Sequence, residues 1–150
     1  MKAFGMALAG YLLMFVVLFA TLTAAYFALG TERAFLPGRY AVTSLWIAVF
    51  CFVQFDAGLV AGLVVAKLSS DRRVPLILAS MTLVLGVLIA LSAIQTPVDA
   101  SLVRDGSLAN MDAMMQAQTP VWIQLMAPAL AALGVIVGAM IMSAAARRRS

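Results

Sequence analysis

The stretch TSLWIAVFCFVQFDAGLVAGLVVA, residues 43–66, decides how this chain folds. Only one of its residues is charged, Asp56, and it lies near the middle. A helix needs about 20 apolar residues to cross the hydrocarbon core of a bilayer, and this run exceeds that length. Three more runs do the same, at residues 4–29, 74–94 and 121–146. Four apolar runs joined by short polar connectors predict an all-α protein. The expected form is a single integral membrane domain over residues 1–150, an antiparallel four-helix bundle spanning the bilayer.

Composition agrees. The chain has 150 residues, 65% of them hydrophobic, and a mean hydropathy of +1.07. A soluble domain of this size cannot hide so much apolar surface, whereas lipid solvates it. The formal net charge is +4. Because the basic residues gather at helix ends, the excess is read as a membrane-topology signal and no nucleic-acid partner is expected.

Basic residues in short loops are retained on the cytoplasmic side. Lys2 precedes the first run, Lys67, Arg72 and Arg73 lie between the second and third, and Arg147, Arg148 and Arg149 follow the fourth. If the runs alternate in direction, all of these share one side. The other side carries Arg33, Arg39 and Arg104, diluted by Glu32, Asp99, Asp105 and Asp112. Both termini are therefore expected in the cytoplasm, with residues 30–42 and 95–120 outside. A cleaved signal peptide ending near Thr23-Ala24-Ala25 is the competing reading of the first run. Its apolar stretch is longer than the roughly 7–15 residues of a signal core, which favours a retained helix.

Punctuation at the helix ends is clear. Pro75 suits a first helical turn, Thr96-Pro97 closes the third run, and Thr119-Pro120 is expected to cap and open the fourth. Pro128 falls inside the fourth run, leaves the carbonyl of Gln124 without its helical donor, and predicts a kink. Trp46, Trp122, Tyr26 and Tyr40 lie near the expected external helix ends and read as interfacial anchors.

Lipid supplies no hydrophobic drive for helix association, so close packing relies on small residues. Ala20, Ala24 and Ala28 form such a stripe on the first run. Ala79, Thr82, Gly86, Ala90 and Ala93 do so on the third, and Ala127, Ala131, Gly134 and Gly138 on the fourth. The second run has Cys51, Gly58, Gly62 and Ala66. Gly58/Gly62 and Gly134/Gly138 are both Gly-xxx-Gly steps. Cys51 has no metal-ligand spacing and reads as a small apolar side chain.

Asp56 is the residue from which chemistry could come. An aspartate at mid-membrane depth costs roughly 2.5–3.5 kcal/mol on insertion scales. Lys67 is eleven residues along, about 16 Å at 1.5 Å per residue, and too far to pair. An unpaired carboxyl group at that depth favours its neutral form unless water or a cation reaches it. At 100° per residue Asp56 points away from Gly58, with Val49, Phe52, Leu59, Val60 and Leu63 beside it. If the glycines pack inside the bundle, Asp56 faces lipid or another chain. If Asp56 faces inward, the glycines are left for a partner. Two roles compete. In one, Asp56 is a neutral polar contact, bonded to Gln124, Thr21, Thr23, Ser80 or a partner backbone. In the other it carries a proton or cation. Gln54 and Gln124 are the further polar candidates within the spans.

The segment 95–120 is the longest polar stretch. Ser107 can cap a short helix on which Leu108, Met111 and Met115 share a face, resembling an amphipathic helix on the external membrane surface. Met111, Met114 and Met115 raise the idea of Cu(I) capture. With histidine absent and Met114 turned away, they read as apolar contacts. No metal and no cofactor is expected.

The chain resembles a group of small bacterial four-helix membrane proteins of uncharacterised role. The residues that carry the likeness are Gly10-Tyr11-Leu12, Pro37-Gly38 and Ala57-Gly58-Leu59-Val60-Ala61-Gly62 before Lys67. Further on they are Asn110-Met111-Asp112-Ala113-Met114-Met115, Ala117-Gln118-Thr119-Pro120-Val121-Trp122, Ala127-Pro128 and Gly134-Val135-Ile136-Val137-Gly138. The resemblance implies a bacterial inner-membrane location and four-helix topology, and it implies no activity. A hydrolase would want a nucleophile with a base, or a metal site, and neither pattern is present. The expected function is that of a non-enzymatic structural or accessory component acting through helix contacts, as a homo-oligomer or with another membrane protein. The alternative is a small proton- or cation-coupled carrier centred on Asp56.

Overall fold

The computed structural model describes residues 2–69, 71–95, 103 and 109–148. Its elements are all helical: α1 (Lys2–Leu29), α2 (Thr31–Ala34), α3 (Ser44–Leu68), α4 (Arg73–Gln95), α5 (Asn110–Gln116) and α6 (Val121–Arg147). Helices α1, α3, α4 and α6 are each long and apolar enough to cross a membrane. Their bounds fall within about two residues of the sequence expectation, the usual scatter of helix ends. Their outward surfaces remain apolar: Phe27 is 74% exposed and Phe52 69%. A soluble fold would bury such side chains, whereas a bilayer accepts them.

The four long helices pack as a ring in the order α1, α3, α6, α4. Register follows from the residues that oppose one another. Gly10 of α1 meets Val65 of α3, and Tyr26 meets Trp46, so these two helices run in opposite directions. Gly58 and Gly62 of α3 face Ala131 and Val135 of α6, so this pair runs in the same direction. The core lies between the helices. Ala7, Met14, Ala57, Ala61, Val65, Leu78, Ala131 and Val135 are among its buried members, and most of them are small.

The α3–α6 contact is backbone against backbone. A Cβ on Gly58 would meet the Ala131 carbonyl group first, with its carbon at 2.9 Å. On Gly134 it would meet the carbonyl oxygen of Phe55 and the amide nitrogen of Leu59, the latter at 2.8 Å. Gly138 stands in the same way against Leu59 and Leu63. The two Gly-xxx-Gly steps therefore interlock with each other. Their Cα hydrogens point at facing carbonyl oxygens, the geometry in which weak Cα–H···O contacts recur between helices.

On α1 the small-residue expectation is corrected. Ala20, Ala24 and Ala28 are exposed. The helix packs instead through Ala7, Gly10, Met14, Leu22 and Tyr26. Leu78 and Val65 fill the notch at Gly10, where larger side chains provide more contact than an alanine row could. On α4, by contrast, Ala79, Thr82 and Ala90 are buried as expected, while Ala93 is exposed.

One end of the bundle is closed by a folded cap. Gly30, at φ 74°, ends α1 and starts the short α2. Leu36-Pro37-Gly38-Arg39 then turns the chain, with Gly38 at φ 65° and the Arg39 amide donating to the Leu36 carbonyl at 3.1 Å. Proline followed by a positive-φ glycine is the signature of a type II turn. Isolated bridges join Phe35 to Val42 and Ala41 to Gln118, which ties this segment to the chain entering α6. Thr43 caps α3, accepting from the Trp46 amide at 3.2 Å and donating to the Arg33 carbonyl at 2.6 Å. Entry to α6 departs slightly from expectation. Pro120 occupies the capping position, and Thr119 contributes only its carbonyl, to the Gln124 side chain.

Candidate functional site

At 100° per residue, Asp56 lies about 120–160° round α3 from Gly58 and Gly62, which face α6. The buried residues of α3 are Val53, Ala57, Gly58, Ala61, Gly62 and Val65, which together cover about half the circumference at 100° per residue. Asp56 falls on the other half, on the stripe marked by exposed Phe52 and flanked by Leu59, Leu63 and Lys67. Of the two arrangements the sequence allowed, the structure adopts the one with glycines inside and the acid outside.

Asp56 is half-buried, and its carboxyl group makes no hydrogen bond or ion pair among the described residues. The contacts anticipated for it, to Gln124, Thr21, Thr23 or Ser80, are not formed. Ser80 is exposed on α4, and Gln124 donates its Nε2 to the Thr119 carbonyl at 2.9 Å, at the head of its own helix. The other amide atom of that side chain, Oε1, is buried without a partner. Gln54 is half-buried on the inward side of α3 and does not bond to Gln124. The three polar candidates are thus separate features.

Pro128 lies in an unbroken α6 and is buried. Its ring fills the groove at Gly86 of α4, where an added Cβ would stand 2.6 Å from the proline Cβ. The proline is thereby a packing element of the α4–α6 contact.

Two cavities mark the ends of the bundle. Beneath the cap is a small one of about 120 Å³, lined by Leu22, Tyr26, Phe35, Trp46, Phe50, Ala117 and Thr119. Tyr26, anticipated as an interfacial anchor, is buried there. Its hydroxyl pairs with Thr31 Oγ1 at 2.8 Å and its ring meets Trp46 edge-on at 6.0 Å. The hydroxyl finds its partner inside the cap, so water is not needed to satisfy it. Trp122 is exposed, as an anchor would be. At the opposite end, between α4 and α6, lies an open groove of about 850 Å³. Neither cavity is lined by Asp56.

In α5, Met111 and Met115 are both exposed. Ser107 and Leu108, anticipated as its cap and first apolar contact, lie outside the described residues. Cys51 is half-buried and free. Among the described residues, no group of three or more His, Cys, Asp or Glu side chains is placed to hold a metal.

Together these features define an all-helical protein with four helices able to span a membrane and one acid on the outer surface of the second. No protein-family model, no curated protein and no solved structure matches the chain.

Proposed function

We propose that this chain is an integral protein of the bacterial inner membrane, its helices alternating in direction with both termini in the cytoplasm. It acts as a non-enzymatic structural or accessory component. Its working surface is the outer face of α3, where it meets a helix of a second membrane-protein chain.

The observation that carries this reading is Asp56 without a partner among the described residues, on a surface otherwise fit for lipid. An acid at that depth is costly facing hydrocarbon, and the cost falls when another helix supplies a hydrogen-bonding group. The inner face of α3 packs on α6 and α1, and Asp56 lies on the outer face. A carrier centred on Asp56 stands second, since neither cavity leads to that residue.

Purification in mild detergent at native expression, with mass determination, tests the proposal. The expected result is a complex larger than one chain, which Asp56→Leu weakens while the helical content stays intact. A wild-type monomer that co-purifies with no protein overturns it. Asp56→Asn in proton-flux measurements on liposomes then decides the carrier reading.

A further inference from the structure

The groove between α4 and α6 combines two chemistries. Its floor is apolar, from Leu76, Ile136, Ala139 and Met140. Leu76 and Met140 are largely exposed, so the floor continues onto the outer surface of the bundle. Its rim is basic. Lys67 comes from the last turn of α3, Arg72 from the turn before α4, and Arg147 from the last turn of α6. The acid among the lining residues is Asp71, and its Oδ1 accepts the Arg73 amide at 2.9 Å, capping α4. Ser143 also lines the groove, but its hydroxyl donates to the Ala139 carbonyl at 2.8 Å. Three cations from three separate elements thus line one cleft. About 850 Å³ lies within the range of small-molecule sites.

The geometry points to a binding site for an anionic glycerophospholipid. Its phosphate is held by Lys67, Arg72 and Arg147, and an acyl chain lies on the apolar floor between α4 and α6. Basic pockets between membrane helices suit such headgroups. A free phosphate would use the rim alone and leave the floor uncovered. Arg72 and Arg147 add directional donors that match phosphate oxygens. The inference rests on the membrane reading above and is independent of any role for Asp56.

The test uses the full chain, purified in a neutral detergent and titrated with phosphatidylglycerol, phosphatidylethanolamine or inorganic phosphate while native mass spectra are recorded. Phosphatidylglycerol is expected to bind in preference to the zwitterionic lipid. The Lys67→Gln/Arg72→Gln double variant should weaken it roughly 25-fold, about fivefold per basic residue removed. Arg33→Gln/Arg39→Gln removes the same charge at the far end and should leave binding within about twofold of wild type, since those positions lie beyond a Debye length. Circular dichroism and melting of both variants confirm that they fold. Equal losses in the two double variants, or no headgroup preference, overturn the lipid site. So does displacement of the lipid by equimolar inorganic phosphate. Alkaline washing of cell membranes separates the two levels. Release of the chain overturns the membrane reading and the lipid site with it, whereas retention without headgroup preference overturns the lipid site alone.

Discussion

Gly62 of α3 lies directly against the backbone of Val135 on α6, where a built Cβ would meet the carbonyl oxygen first, with the carbonyl carbon and Cα both at 2.8 Å. One methyl group at this point would have to push two helix backbones apart. The same relation holds one turn earlier, between Gly58 and Ala131. The α3–α6 pair is therefore specified by the absence of side-chain atoms, and that absence can be tested.

Gly62→Ala should destabilise the bundle by about 1–3 kcal/mol, the usual cost of overpacking. Gly5→Ala is the matched control, since nothing lies within 4 Å of its added Cβ. It should be neutral or stabilising by up to about 1 kcal/mol through helix propensity. Unfolding midpoints in detergent compare the two. Equal effects would mean that close approach at Gly62 is not what holds α3 to α6.

The outer face of α3 makes a separate prediction. Phe52 is 69% exposed on the same stripe as Asp56. In a Cys51→Ser background, Phe52→Cys carrying a thiol-reactive photo-cross-linker should couple the chain to its partner on illumination in native membranes. Leu88→Cys, on the exposed surface of α4, should not. The readout is a denaturing gel, and cross-linking at Leu88 alone would move the interface to α4.

Under the cap, Tyr26→Phe removes one buried hydrogen bond, the one between the Tyr26 hydroxyl and Thr31 Oγ1. A loss of about 1 kcal/mol is expected. Hydrogen exchange should show it as faster opening of residues 31–43, with the middle of α3 and α6 unchanged. Uniform acceleration would mean that the cap is not a separate unit.

Thr43→Ala removes the α3 cap to the Trp46 amide and the bond to the Arg33 carbonyl together. Loss of a helix cap costs about 1 kcal/mol. Thr43→Ser keeps an oxygen that can make both contacts and should recover most of it. If serine does no better than alanine, the threonine methyl, and not its hydroxyl, matters at this position.

Orientation is checked by cysteine labelling. In the Cys51→Ser background, Pro37→Cys should react with a membrane-impermeant maleimide in intact cells, and Arg148→Cys only after the membrane is opened. The reverse pattern would place the basic end outside.

The four long apolar helices were readable because their lengths and composition match one physical requirement, that every backbone polar group in lipid be satisfied within its own helix. The stripes of α4 and α6 were readable for a related reason, since close packing in lipid favours small residues. The row Ala20, Ala24, Ala28 shows the limit of that argument. Alanine costs nothing facing lipid, so its spacing alone does not say which side packs. The cap was not readable. Thr31–Ala34 is too short for periodicity to reveal, and Tyr26, near a helix end, follows the pattern of an interfacial anchor. A signal did exist in Pro37-Gly38, which marks a tight turn, but its partners across the Phe35–Val42 and Ala41–Gln118 bridges are set by distant chain.

Sequence by itself determined four apolar helices of membrane-spanning length, their bounds, and the presence of one carboxyl group deep within the second. These are properties of local composition and helix geometry. Tertiary structure decided which face of α3 is inside. Gly58 and Gly62 lie against Gly134, Gly138 and their neighbours on α6, and that choice turned Asp56 outward. The physical reason is that a helix in lipid gains from close packing on either face, so the partner with the matching groove settles the rotation.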